Sequence, residues 1–199
     1  AYGGHGTFEN ETQEQEKHIA DMHKAKKLIE EQFDTLSVVC VLAVMTSDTD
    51  IDFVEQVLEY FNISYSTRDV EKERIPTEGR VVIIANHPIG SLDALALIKL
   101  VSEVRHDLKV VANQMLMAIE PLHDMLLPVN NMQGGTPKQH LSAIQSHLKS
   151  EGAVLIFPAG EVSRLRPQGV RDTRWHSGFL RMARQAKSPI LPVYIDAKN

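Results

Sequence analysis

The sequence predicts an α/β fold in which a mostly parallel central sheet is flanked by helices and preceded by a helical amino-terminal segment. Three observations carry that expectation. From Val81 onward, short β-branched runs alternate with helical patterns, which is the sign of βαβ units. Before that point apolar residues recur at helical spacing. Composition, with 43% hydrophobic and 24% charged side chains over 199 residues, allows one domain, or one domain with an appendage, around a real core.

Residues 9–36 form the first helical pattern, with Ile19, Met22, Ala25, Ile29, Phe33 and Leu36 on one stripe. Over 50–61, Ile51, Val54, Val57, Leu58 and Phe61 repeat at helical spacing, and Ser47, Asp48 and Asp50 are candidate N-caps. A polar stretch over 64–80 ends this leader, giving a helical amino-terminal segment over 1–70 and a second domain over 71–199. Strands are expected at 81–85, 108–112, 153–157 and 190–195. Helices are expected near 92–103, 114–127, 138–150 and 177–187, with Gly152 closing the third and Pro189 stopping the fourth.

The net charge of −5 conceals a split. Residues 1–60 hold thirteen acidic and four basic side chains, and residues 61–199 hold thirteen acidic and seventeen basic. The densest basic run contains Arg164, Arg166, Arg171, Arg174, Arg181, Arg184 and Lys187, opposed only by Asp172. Such a run suits phosphate, an acidic carrier protein or an anionic lipid surface, and equally suits a solvated helix face with a basic loop. Cys40 is the single cysteine, so a disulfide framework is excluded and a reducing compartment is the simpler expectation. The longest apolar run, 36–45, is ten residues and includes Ser37, whereas a spanning helix needs about 20. No secretory signal is visible, and Ala1 in first position points to processing or trimming.

The segment that carries chemistry is Ile84-Ala85-Asn86-His87-Pro88-Ile89-Gly90-Ser91-Leu92-Asp93. Strand 81–85 delivers Asn86 and His87 to the carboxyl edge of the sheet, where open α/β folds bind ligands. Pro88 and Gly90 delay the next helix, Ser91 is its candidate N-cap, and Asp93 then falls in its first turn. On an unbroken helix His87 and Asp93 would sit roughly 240° apart at about 100° per residue, so the loop is what lets them meet. A carboxylate on one imidazole nitrogen fixes the tautomer and leaves the other free to take a proton from a hydroxyl. The plainer alternative is a buried histidine satisfied by a backbone carbonyl, with Asp93 serving only the helix start. A second strand-end segment, Phe157-Pro158-Ala159-Gly160-Glu161-Val162-Ser163-Arg164, completes a composite cleft. Gly160 lets backbone approach a ligand, and Arg164 and Arg166 are placed to neutralise an anionic head group. A tight turn followed by a solvated loop is the alternative there.

These residues, in this order, resemble the lysophospholipid acyltransferase superfamily, whose first motif is Asn-His-x4-Asp and whose third is Phe-Pro-Glu-Gly. The resemblance covers about 72–199, and Leu191-Pro192-Val193-Tyr194 is similar to the family's closing strand motif. Two departures stand out. Five residues separate His87 from Asp93, and Ala159 replaces the motif glutamate, with Glu161 two places later. The form His-Pro-x-Gly-x-x-Asp with Phe-Pro-Ala-Gly is similar to the haemolysin-like and bacterial ornithine-lipid branch. The family's acceptor-binding motif falls near Asn130, where Asn130 and Asn131 replace an expected basic residue, which favours an acceptor without phosphate.

The resemblance implies a glycerolipid-acyltransferase-like fold and direct transfer of a fatty acyl group from acyl carrier protein or coenzyme A to the hydroxyl of a lyso-lipid. A lyso-ornithine or other aminolipid acceptor is favoured and lysophosphatidic acid is the second choice. His87 is then the general base assisted by Asp93, with Asn86 buttressing the loop and Gly90, Asn130, Phe157, Pro158, Gly160, Arg164 and Arg166 lining the substrate site. Backbone amides near Gly90 or Gly160 are candidates for the oxyanion. No metal, prosthetic group or nucleic acid is called for. The expected location is cytoplasmic, peripherally associated with the inner membrane. The leader or the run 36–45 is a candidate anchor, although the leader's Glu excess favours a packing role. The chain ends four residues beyond the last predicted strand, as expected of a fragment or the amino-terminal part of a longer enzyme. Rival classes are a catalytically inactive lipid- or carrier-binding module of the same fold, and a serine hydrolase through Ser91 or Ser163, which lacks a Gly-x-Ser-x-Gly elbow. Metal binding through His5, His18 and His23 matches no standard spacing.

Overall fold

The computed structural model describes residues 39–40, 43–44, 46, 48–129, 138–167 and 169–197, apart from the side chains of 138–140 and 166. The helix expected over 9–36, and His5, His18 and His23, lie outside the described residues. The chain divides into Ala1–Val41 and Leu42–Asn199, and the second unit carries everything that follows.

Helix α1 spans Asp50–Tyr60 and buries Phe53, Val54, Val57 and Leu58 as one stripe. Its N-cap is Thr49, which makes no side-chain cap, so Asp48 and Asp50 do not serve as expected, and the third candidate, Ser47, lies outside the described residues; Asp50 and Asp52 instead place charge in the first turn. After a short α2 at Asp69–Lys72 comes β1, Val81–Ala85, buried at every position. Continuous burial is what a parallel strand covered on both faces requires. Then follow α3 (Ser91–Ser102), β2 (Leu108–Asn113), two 3₁₀ turns (Gln114–Ala118 and Glu120–Met125), β3 (Leu126–Val129) and α4 (Lys138–Lys149). The remainder is β4 (Ala153–Ile156), β5 (Arg164–Arg166), β6 (Gly169–Arg171), α5 (Gly178–Ala186) and β7 (Ile190–Val193).

The five-stranded sheet has the order β3-β2-β4-β1-β7, with every pairing parallel. One face is built from Val82, Ile84, Val154 and Ile156 under Ile144 and Leu148 of α4 and Ala183 and Ala186 of α5. The small alanines let α5 lie close to β1. Alternation along each strand sends Val81, Ile83 and Leu155 to the opposite face, on the side of α3, against which α1 packs. Each such aliphatic side chain contributes about 1.5–3 kcal/mol on burial, so packing of helices on both faces of the sheet stabilises the fold strongly. Below it, the buried Arg105 binds Asp107 through Nε and Nη2 at 2.6 and 2.8 Å and donates to the carbonyls of Pro76 and Glu151. The guanidinium holds the Asp107 carboxyl below its usual range.

Two expectations are corrected. The helix expected over 114–127 is two 3₁₀ turns followed by strand β3. Pro121 lacks the amide a continuous helix needs and disfavours helical backbone at Glu120, so the pattern breaks there. Leu126 and Leu127 then pair with Val110 and Val111 of β2. The basic loop after β4 is an antiparallel hairpin, β5–β6, turned at Gly169 with φ 100°. Pro128 and Pro192 sit on β3 and β7, the two edges of the sheet, where a missing amide costs no ladder bond and blunts further pairing.

Gly152 follows α4 as expected, but for space rather than conformation. The left-handed residue there is Glu151, with φ 65°. A Cβ on Gly152 would stand 2.4 Å from Nε2 of His147, whose ring is pinned by bonds to the carbonyls of Asp107 and Ala153 at 2.8 and 3.1 Å. Gly152→Ala is therefore expected to destabilise the domain by about 1–3 kcal/mol, read as a lower urea midpoint at unchanged slope.

Candidate active site

In a parallel sheet all carboxyl ends share one edge, and a crevice opens where neighbouring strands send their connections to opposite faces. Here that occurs between β1 and β4. The chain leaving β1 enters α3 on one face, and the chain leaving β4 reaches α5 on the other. The two loops touch. Ser163 donates its amide to the His87 carbonyl at 2.8 Å, and a Cβ on Gly90 would lie 3.4 Å from Val162. Gly90, with φ 98°, is the N-cap of α3, and Ser91, expected in that role, is the first helical residue. A left-handed N-cap in van der Waals contact with the opposite loop is a place for glycine.

Asp93 is the third residue of α3 and is only 2% exposed. Its Oδ2 accepts the amides of Ile89 at 2.8 Å and Gly90 at 3.0 Å, the carboxylate half of a capping box. The same oxygen lies 3.1 Å from Nδ1 of His87, whose side chain is 16% exposed. The approach lies off the line of a straight hydrogen bond, so it is an electrostatic contact, and Oδ1 of Asp93 is buried with no hydrogen-bond partner. Phe157 stacks on the imidazole with ring centroids 4.1 Å apart and planes 28° from parallel. Carboxylate and aromatic ring together fix where the imidazole stands.

The remaining expected residues divide by role. Asn86 is tied reciprocally to Ile195, donating to its carbonyl at 2.9 Å and accepting its amide at 2.7 Å. Pro158 is buried and its carbonyl accepts the His176 amide at 2.9 Å. Gly160, with φ 70°, donates its amide to the Phe157 carbonyl at 3.0 Å, and the Gly90 amide goes to Asp93, so these two amides are engaged within their own loops. Arg164 is exposed and pairs with Glu161. Arg166 is placed on β5 and its side chain is not described; Asn130 lies outside the described residues.

One residue of the site was not singled out from the sequence. Asp172 accepts the His87 amide at 3.1 Å and the Ser163 hydroxyl on Oδ1, and the Trp175 indole at 2.7 Å on Oδ2. It thereby clamps the β1 loop, the β4 loop and the hairpin exit together. Its one sequence signal is that it is the lone acid in a run of arginines.

Parallel strand order, a switch-point crevice and a histidine facing a buried carboxylate at the sheet edge define an α/β protein of acyltransferase-like fold. The chain belongs to the acyltransferase family, whose model, described as "Acyltransferase", matches residues 23–199. It is 28% identical over 152 residues, 75% of its own length, to a lyso-glycine lipid O-acyltransferase of Bacteroides thetaiotaomicron, of which it covers 54%. A lyso-glycine lipid O-acyltransferase of Phocaeicola vulgatus is 22% identical over 150 residues, 75% of this chain and 53% of that protein. The chain thus spans about half the length of the curated relatives it matches. These matches support the lipid acyltransferase superfamily to which the motifs point.

Asp172→Ala leaves one amide, one hydroxyl and one indole without their acceptor, and loss of such bonds costs about 1–3 kcal/mol. Trp175 is the only tryptophan. The expected outcome is a lower melting temperature together with altered tryptophan emission in the folded state.

Proposed function

We propose that this chain carries the catalytic site of an O-acyltransferase that moves a fatty acyl group from a thioester of acyl carrier protein or coenzyme A to the hydroxyl of a lyso-lipid. The observation that carries this reading is the 3.1 Å contact between His87 Nδ1 and a carboxylate that is itself almost fully buried. A capping aspartate gains nothing from burial, and an unpartnered Oδ1 is costly. That cost is understandable if the carboxylate stabilises an imidazolium.

With the Asp93 carboxylate beside Nδ1, Nε2 takes the acceptor's hydroxyl proton as the oxygen attacks the thioester carbonyl. The C–O bond of the new ester forms, the C–S bond breaks, and the imidazolium returns the proton to the departing thiolate. No protein nucleophile or cofactor enters this scheme.

For the acceptor we favour a lyso-aminolipid, lyso-ornithine or lyso-glycine in type. Asparagines near 130 where the family pattern has a basic residue, and the names of the two relatives, support this over lysophosphatidic acid. The location that goes with this reading is the cytoplasm, with the enzyme docked peripherally on the inner membrane.

Purified protein supplied with labelled acyl carrier protein or coenzyme A thioester and a panel of lyso-ornithine, lyso-glycine and phosphate-bearing acceptors should form a diacyl product with the aminolipids. His87→Ala should abolish it. Asp93→Asn, whose amide oxygen can still accept the Ile89 and Gly90 amides, should keep the fold while lowering kcat by about 10²–10⁴-fold. Turnover that survives His87→Ala would refute the mechanism.

A further inference from the structure

Among the described residues, all large exposed apolar side chains except Val44 and Val70 lie in the loops, the β5–β6 hairpin or the first helical turn that follow the carboxyl ends of the parallel strands. Ile89 follows β1, Met115 follows β2, Val162 follows β4, and Tyr194 follows β7. Because every strand of this sheet runs the same way, these positions share one rim, the rim on which His87 stands. Exposed apolar groups scattered singly mean little, but their concentration on one edge of a domain marks a surface that meets something apolar.

The β5–β6 hairpin sharpens this. Leu165 pairs directly with Val170, so their side chains share one face of the ribbon, and they are 84% and 54% exposed. Arg164 pairs with Arg171 on the other face. A two-stranded ribbon with its apolar pair in water is marginal by itself. Around it Arg164, which pairs with Glu161, and Arg171, Arg174 and Arg181 are exposed, while Asp172 is engaged by Ser163, Trp175 and the His87 amide. Trp175, partly exposed with its indole N–H satisfied, has the amphipathic character of side chains that settle at a bilayer interface.

We propose that the β5–β6 hairpin and the surrounding carboxyl-edge rim dock this domain on an anionic lipid bilayer, with Leu165 and Val170 entering the acyl boundary and the arginines meeting the head groups. An acidic carrier protein would account for the arginines but not for an apolar pair turned away from them. The inference rests on the lipid-acceptor reading above, since it explains how a site at the sheet edge reaches a substrate held in a membrane.

The test uses the purified chain with phosphatidylcholine vesicles, with and without about one-third phosphatidylglycerol, in a flotation assay. The parent is expected to float with the anionic vesicles at least about tenfold more strongly than with the neutral ones, and less in high salt. Leu165→Ser combined with Val170→Ser should lower vesicle binding by about tenfold or more. The same variant should keep the parent's melting curve, because both side chains are exposed, and its turnover on a detergent-dispersed acceptor. In the parent, doxyl-labelled lipid should quench Trp175. A double variant that floats like the parent overturns the proposal, as does one that keeps vesicle binding and loses affinity for acyl carrier protein. Vesicle binding is measured without turnover, so a parent that docks but transfers no acyl group would count against the enzymatic reading and leave the docking surface standing.

Discussion

One oxygen of Asp93 holds the amides of Ile89 and Gly90 and faces the imidazole of His87, and the shape of the β1 loop follows from that double duty. The helix start and the contact with the imidazole share one carboxylate oxygen. If the carboxylate moved to suit the histidine, α3 would lose its cap; if α3 shifted, the imidazole would lose its counter-charge. The additional residue between His87 and Asp93, relative to the family spacing, is taken up in a loop whose left-handed Gly90 caps the helix, and the pair still meets.

Around this centre the site is built by contacts between loops more than by any single element. Phe157 covers one face of the imidazole, Ser163 bonds the His87 carbonyl, and Asp172 bonds the His87 amide. Residues from β1, from the β4 turn and from the hairpin exit therefore constrain one side chain, and each loop restricts the others. Preorganisation of this kind lowers the entropy lost when a reacting geometry is assembled.

What the sequence disclosed follows from how local each signal is. Strand β1 was legible residue for residue because a fully buried parallel strand reads as an unbroken β-branched run. The pairing of His87 with Asp93 was legible because both flank one short loop. Strand β3 was hidden by apolar spacing that suits a helix as well, and only the prolines at 121 and 128 argued otherwise. The hairpin was masked by its arginines, since charge favours reading a solvated loop. Asp172 was beyond reach for a different reason. Its three partners come together only when separate segments fold onto one another, and nothing in its immediate neighbours announces that.

The clasp between Asn86 and Ile195 extends the β1–β7 pairing beyond the ladder itself. Strand β1 also depends on β4, so the take-off point of the loop that bears His87 is set by chain segments roughly 70 and 110 positions downstream. Strands β2 and β3 pair with each other without help from β1, whereas the seat of the imidazole needs Phe157, Ser163 and Asp172, all of which lie beyond β4. The position of His87 is thus a non-local product of the fold, settled only when distant segments have closed around a loop that precedes them all in the chain.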